Sequence, residues 1–137
     1  MNTQEFSSPA LLGHVYVVDD NVDLSHHLRD LLLVMGYSVE VFNSADAFLA
    51  HDANISPAVL VVDMHMPGKT GKDLQLELTK RGQTIPMVFI SGGSYPYEID
   101  AALQRGAIGF LTKPFNRHAL GALLSKGLSM GRGDVPD

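Results

Sequence analysis

Five polar side chains each stand at the end of a short apolar run, and together they could bind a cation and a phosphate group. Asp19 and Asp20 follow the first run, Asp63 the third, Ser91 the fourth and Lys113 the fifth. Carboxylates held about 4 Å apart repel each other by roughly 4 kcal/mol at an effective dielectric near 20. A metal ion or a lysine relieves that repulsion. Since oxygen ligands without cysteine favour Mg²⁺, which also takes phosphate oxygens, the set predicts a magnesium-dependent phosphoryl site.

Asp63 is the best candidate for the nucleophile in such chemistry, because it ends its run alone. Asp19 and Asp20 are adjacent and would suit a metal cradle. Each of these residues also has a simpler interpretation when it is taken singly. The two adjacent acids could cap a helix, Asp63 could begin the turn that follows it, and Lys113 could be a surface lysine. Their combination favours the functional interpretation.

Strand-like and helical segments alternate five times along the chain, and this alternation indicates how the five side chains are positioned. It predicts an α/β fold, a doubly wound five-stranded parallel sheet with five helices, because right-handed crossovers place helices on both faces. In such a sheet the ligand site lies beyond the carboxyl ends of the strands. The five polar side chains should therefore meet at one edge. The predicted strands are 15–18, 38–42, 58–62, 87–90 and 108–111.

Composition narrows the classes of protein that this chain could belong to. Its 137 residues suit one domain, and 10 basic against 15 acidic residues give a net charge of −5, which argues against nucleic-acid binding by this chain itself. Without cysteine, disulfides and thiolate metal sites are excluded. No apolar run is long enough to cross a membrane, and no basic residue precedes Arg29 as in a secretory signal. We expect a small, soluble, cytoplasmic domain.

Four motifs, in order and in matching elements, resemble the receiver domain of two-component response regulators over about residues 12–128. The last two are most similar to the FixJ/LuxR-type branch of transcriptional regulators. The resemblance implies a flavodoxin-like receiver architecture with strand order 2-1-3-4-5, an N-terminal extension at 1–11, and a C-terminal tail or truncated linker at 129–137. The motifs are Val-Val-Asp19-Asp20-Asn21, Val-Val-Asp63-Met64-His65-Met66-Pro67-Gly68, Phe89-Ile90-Ser91-Gly92 and Phe110-Leu111-Thr112-Lys113-Pro114-Phe115.

The resemblance also implies a role for each acidic residue. Asp63 would be the phosphoacceptor. Asp20 and Asp63 would bind Mg²⁺ directly, together with the backbone carbonyl of His65. Asp19 would bind the ion directly or through water.

The remaining motif residues would form the switch that reads the phosphoryl group. By resemblance, Lys113 pairs with the phosphoryl oxygens, Ser91 hydrogen-bonds one of them, and Phe110 moves inward with Ser91. The Lys113–Pro114 peptide bond is expected to be cis. Two departures from the commonest pattern are a serine in place of threonine at 91 and a phenylalanine without the tyrosine hydroxyl at 110.

The partners implied by the resemblance are a sensor histidine kinase and a second copy of the domain. The kinase would donate the phosphoryl group, and phosphorylation would favour a homodimer through the fourth helix, fifth strand and fifth helix. DNA would be bound through an effector domain absent from this chain, and no membrane contact is expected.

The same architecture also allows two functions other than this signalling role. A magnesium-dependent phosphohydrolase of the same architecture would need a separate general acid and an inserted cap segment, and the sequence offers neither. A receiver that serves only as an interaction module is disfavoured by the complete set of acceptor residues. We therefore expect a phosphoacceptor signalling domain rather than an enzyme with an external substrate.

Overall fold

The computed structural model describes residues 11–51, 55 and 57–131, which form one parallel sheet with helices on both faces. The five strands are all parallel, in the order β2-β1-β3-β4-β5. The predicted fold class and strand order are confirmed. The elements are β1 (His14–Val18), α1 (Val22–Met35), β2 (Ser38–Phe42), α2 (Ala45–Ala50), β3 (Ala58–Asp63), α3 (Gly71–Lys80), β4 (Met87–Ser91), α4 (Pro96–Gln104), β5 (Gly109–Thr112) and α5 (Arg117–Gly131).

The core consists of two apolar layers, one on each face of the sheet. Successive residues of a strand point to opposite faces, so Tyr16 and Val18 of β1 pack with α2, α3 and α4. Val15 and Val17 pack on the other side with α1 and α5. All five residues of β1 are buried, as expected for a central parallel strand covered on both faces.

Side-chain caps set where the helices begin. Asn21 Oδ1 accepts a hydrogen bond from Leu24 N at 3.1 Å, so α1 starts directly after the acidic pair. Thr70 and Asp73 form a reciprocal capping box at the start of α3. That box places the start of α3 at Gly71.

The end of α5 lies beyond the predicted domain boundary. The helix continues through Gly131, three residues past 128, because Ser129 and Met130 do not interrupt a helix. Residues 1–10 of the predicted N-terminal extension and residues 132–137 of the predicted tail lie outside the described residues.

Within the ranges that the structure covers, no helix is long and apolar enough to cross a membrane.

The buried His14 of β1 contacts two polar residues of the neighbouring strand β2. His14 Nδ1 lies 2.6 Å from Ser38 Oγ, and His14 Nε2 lies 3.0 Å from Glu40 Oε1. His51, which follows α2, contacts the other oxygen of Glu40 at 3.3 Å. Burial lowers the pKa of His14, an effect that the Glu40 carboxylate opposes and His51 reinforces.

We predict that His14 makes the fold less stable in acid. Because the pKa of His14 is lower in the folded state, the unfolded chain binds more protons as the pH falls below the unfolded value of about 6.5. The free energy of unfolding should then decrease, by at most about 1.4 kcal/mol per pH unit for one proton. Urea unfolding at pH 7.5 and pH 5.5 should show a smaller decrease for His14→Asn than for the wild type. The exposed His118→Asn serves as control, and equal decreases in wild type and His14→Asn would contradict the prediction.

Candidate functional site

Three carboxylates meet where β1 and β3 end. The two strands are paired in register, with Val18 beside Val62, so the residues that follow become neighbours. Asp19, Asp20 and Asp63 each offer an oxygen within 4.8 Å of the others. Asp19 and Asp63 are buried, whereas Asp20 is exposed. The predicted meeting of these three side chains is confirmed.

The surroundings of Asp19 disfavour its ionised form. Burial raises the pKa of Asp19, and the neighbouring Asp63 raises it further. Two groups oppose that effect: the backbone N–H of Asn21 donates to Asp19 Oδ1 at 2.9 Å, and Lys113 Nζ lies 3.7 Å from Asp19 Oδ2. The net direction of the pKa is upward, chiefly because burial disfavours the charged form of Asp19.

The two oxygens of Asp63 have different partners. Asp63 Oδ1 accepts a hydrogen bond from the backbone N–H of His65 at 3.0 Å. Asp63 Oδ2 lies 3.4 Å from Lys113 Nζ. The turn after β3 and the lysine after β5 therefore fix the carboxylate from both sides.

Lys113 reaches the site because the chain after β5 is tied to the end of β4. Its backbone N–H donates to the carbonyl of Ser91 at 2.7 Å. The Lys113–Pro114 bond is cis, as expected from the sequence. The side chain of Lys113 thus bridges Asp19 and Asp63, while its backbone N–H bonds to the carbonyl of Ser91.

Ser91 is buried at the end of β4 and takes part in local hydrogen bonds. Its Oγ accepts from the backbone N–H of Gly93 at 3.0 Å and lies 2.8 Å from Ser94 Oγ. On β5, the partly buried Phe110 packs on the core with its ring centroid 6.4 Å from that of Phe89. The structure thus places Ser91 at the end of β4 and Phe110 beside Phe89, two residues before Ser91 on the same strand.

Sequence reasoning missed Gly71, the residue that lets α3 approach the acceptor strand. Gly71 N donates to the carbonyl of Met64 at 3.1 Å. A Cβ on Gly71 would lie 2.9 Å from the carbonyl oxygen of Asp63 and 3.0 Å from Met64 Cα. Only glycine fits at this distance from a backbone. The preceding Thr70 with Asp73 signals a helix start, but no sequence pattern indicates the close approach.

The donor set fits Mg²⁺. It offers carboxylate oxygens without sulfur, and the exposed Asp20 leaves a side where water can enter. Mg²⁺ prefers oxygen ligands and keeps several waters. A cation here would also offset the repulsion that raises the pKa of Asp19.

Together these features define a doubly wound α/β domain that holds an acidic cluster and a lysine at the carboxyl edge of its sheet. Residues 15–125 match the response regulator receiver domain. The chain therefore belongs to the family of response regulator receiver domains, which take part in two-component signalling.

Named relatives lie in the branch that the motifs indicated. Response regulator protein TmoT of Ectopseudomonas mendocina is 39% identical over 107 residues, covering 77% of this chain and 48% of TmoT. Transcriptional regulatory protein FixJ of Bradyrhizobium diazoefficiens is 32% identical over 117 residues, covering 85% of this chain and 57% of FixJ. The solved structure of response regulator StyR has a TM-score of 0.80 and 40% identity, covering 88% of this chain and 61% of StyR. The chain spans about half the length of the curated relatives it matches.

We predict that Asp19→Asn stabilises the domain in the absence of Mg²⁺. Asparagine keeps an oxygen for Asn21 N–H but removes a buried charge that Asp63 repels. The free energy of unfolding should rise by less than about 4 kcal/mol, the repulsion of one close pair at an effective dielectric near 20. Urea unfolding in EDTA measures the change, with the exposed Asp100→Asn on α4 as control. A loss of stability in Asp19→Asn would contradict this electrostatic interpretation.

We predict that Gly71→Ala destabilises the domain by about 1–3 kcal/mol, the usual cost of overpacking. The added Cβ would force α3 away from the backbone of Asp63 and Met64. Gly92→Ala is the matched control, because a Cβ there meets nothing within 4 Å, and it should change stability by less than about 0.5 kcal/mol. Denaturant unfolding compares the two variants, and equal stabilities would show that no close approach limits position 71.

Proposed function

We propose that Asp63 of this domain accepts a phosphoryl group from a phosphohistidine of a sensor histidine kinase, in a Mg²⁺-dependent reaction. The observation that carries the proposal is the placement of Asp63 Oδ2, which lies 3.4 Å from Lys113 Nζ and beside two further carboxylates. A carboxylate in contact with a lysine, next to a site for a divalent cation, suits an in-line attack on phosphorus.

The reaction would form one bond and break one bond. A carboxylate oxygen of Asp63 attacks phosphorus, and the phosphorus–nitrogen bond to the donor imidazole breaks, so the nitrogen keeps the electron pair. Asp19, Asp20, Asp63 and the backbone carbonyl of His65 would hold Mg²⁺, which when bound neutralises negative charge on the phosphoryl oxygens. Lys113 turns from the carboxylate of Asp63 to the oxygens of the transferred group, and its charge stabilises the product.

The proposed output is a change of conformation at Ser91 and Phe110. Phosphorylation adds charge and acceptor oxygens beside Asp63, which the hydroxyl of Ser91 can engage. If Ser91 moves toward the phosphoryl group, space opens next to β4, and the partly buried Phe110 can turn into it. That movement would alter the surface formed by α4, β5 and α5.

This surface is the one we propose for phosphorylation-linked homodimerisation. Tyr97 and Leu103 are exposed hydrophobic residues of α4. This helix directly precedes β5, the strand that contains Phe110. A second copy can favour the phosphorylated state only if it binds that state more tightly.

We propose that the full protein acts in the cytoplasm and controls transcription through a C-terminal DNA-binding domain. Its relatives TmoT and FixJ extend well beyond the region matched here, and the FixJ relative is named a transcriptional regulatory protein. The receiver itself would have no external substrate, because its reaction ends on its own Asp63.

The acceptor assignment predicts a single phosphoryl group on Asp63. Intact-mass measurement after incubation with acetyl phosphate and Mg²⁺ should show one added group, and EDTA should prevent it. Asp63→Asn should remain unmodified, because an amide cannot act as the nucleophile, whereas the exposed Asp100→Asn should label like the wild type.

Equal labelling of Asp63→Asn and wild type would show that the acceptor is another residue. Continuous release of inorganic phosphate from small phosphate esters would instead indicate a phosphohydrolase.

A further inference from the structure

A chain of side-chain contacts connects the switch serine to the loop after the acceptor strand. Ser94 Oγ lies 2.8 Å from Ser91 Oγ, within hydrogen-bond distance. Ser94 Oγ also lies 3.1 Å from Nε2 of His65, two residues past Asp63. Ser94 is therefore the central member of a Ser91–Ser94–His65 chain, and it joins the loop after β4 to the loop after β3.

The far end of this chain approaches α4. His65 Nε2 lies 4.0 Å from Oε2 of Glu98, in the first turn of α4. The other oxygen of Glu98 accepts from the backbone N–H of Tyr95 at 2.9 Å. The contacts of Ser94 thus couple the position of Ser91 to the start of the helix whose surface we propose to change.

These contacts engage the hydroxyl of Ser91 before any phosphoryl group is present. Ser91 Oγ accepts from Gly93 N–H at 3.0 Å and shares a hydrogen bond with Ser94 Oγ. The order of donors along the chain depends on the tautomer of His65, but Ser94 bonds to both neighbours in either order. If Ser91 moves toward Asp63 as proposed above, its Oγ leaves the position in which it bonds to Ser94.

We propose that Ser94 is a positioning residue that holds Ser91 in the unphosphorylated conformation and so sets the equilibrium between the inactive and active states. The inference rests on the proposed phosphorylation of Asp63. Ser94 is not the proposed phosphoacceptor, a proposed metal ligand or the lysine of the site, and the proposal gives it a role in the switch. Ser94 acts through Ser91 and touches neither the phosphoryl group nor the cation.

Loss of the Ser94 hydroxyl should therefore favour the active state. Ser94→Ala removes the hydrogen bonds to His65 and to Ser91, and only the bond to Ser91 is specific to the inactive conformation. One net hydrogen bond corresponds to about a fivefold change in an equilibrium constant. If the active conformation is the one that reacts, acetyl phosphate with Mg²⁺ should phosphorylate Ser94→Ala about fivefold faster than the wild type. Ser94→Thr keeps the hydroxyl and should react at close to the wild-type rate.

The amide NMR signals of β5 distinguish a shift of the switch equilibrium from a general loosening of the loop, because the two effects should change the β5 chemical shifts differently. The β5 segment Gly109–Thr112 is distant in sequence from the substitution and contains Phe110. In unphosphorylated Ser94→Ala, the β5 signals should shift along the line that joins their positions in the unphosphorylated and phosphorylated wild type. In Ser94→Thr they should stay at the unphosphorylated positions.

Two outcomes would overturn the proposal, and they are distinguishable. If acetyl phosphate modifies the wild type on Asp63, but Ser94→Ala reacts at the same rate and its β5 signals do not move along that line, Ser94 does not set the switch. If the wild type itself is not phosphorylated, the proposed function fails and this inference fails with it. Circular dichroism of each variant checks that the fold is kept.

Discussion

Electrostatic repulsion among three carboxylates is the constraint on which the rest of this structure depends. Parallel pairing of β1 and β3 brings Asp19 and Asp63 together, and Asp20 follows directly. Lys113 contacts the two buried acids at 3.7 and 3.4 Å, yet the pKa of Asp19 remains raised by burial and by its neighbour. A site held in this state favours additional positive charge, and this is why we assign it to Mg²⁺ and phosphoryl transfer.

The same elements that hold the charged side chains also connect them to Ser91 and Ser94, the residues of the proposed switch. Lys113 bonds to Asp63 through its side chain and to the carbonyl of Ser91 through its backbone N–H at 2.7 Å. Ser91 in turn contacts Ser94, and Ser94 contacts His65 on the loop after the acceptor strand. Short contacts therefore join the ends of β3, β4 and β5, and we propose that a change of charge at Asp63 acts on Ser91 through them.

The alternation of strand-like and helical segments predicted the parallel sheet and the edge where the five polar side chains meet, because the parallel crossover rule is a strong constraint. The strand order was predicted from the resemblance to receiver domains. The sequence did not predict Gly71, whose role depends on how closely α3 approaches the backbone of Asp63 in three dimensions. Ser94 was missed for a similar reason, since its partners His65 and Ser91 come from two different loops. The structure extends α5 to Gly131, three residues into the segment where the glycine-containing sequence indicated a tail.

Magnesium-dependent stability is the most direct test of the claim that carboxylate repulsion defines this site. A cation that binds only the folded state raises the free energy of unfolding with the logarithm of its concentration once the site is mostly filled. Urea unfolding at increasing Mg²⁺ concentrations, at constant ionic strength, should show this rise for the wild type and its loss in Asp20→Asn. If Mg²⁺ leaves the wild type unchanged, or stabilises Asp20→Asn equally, the three carboxylates do not form the cation site described above.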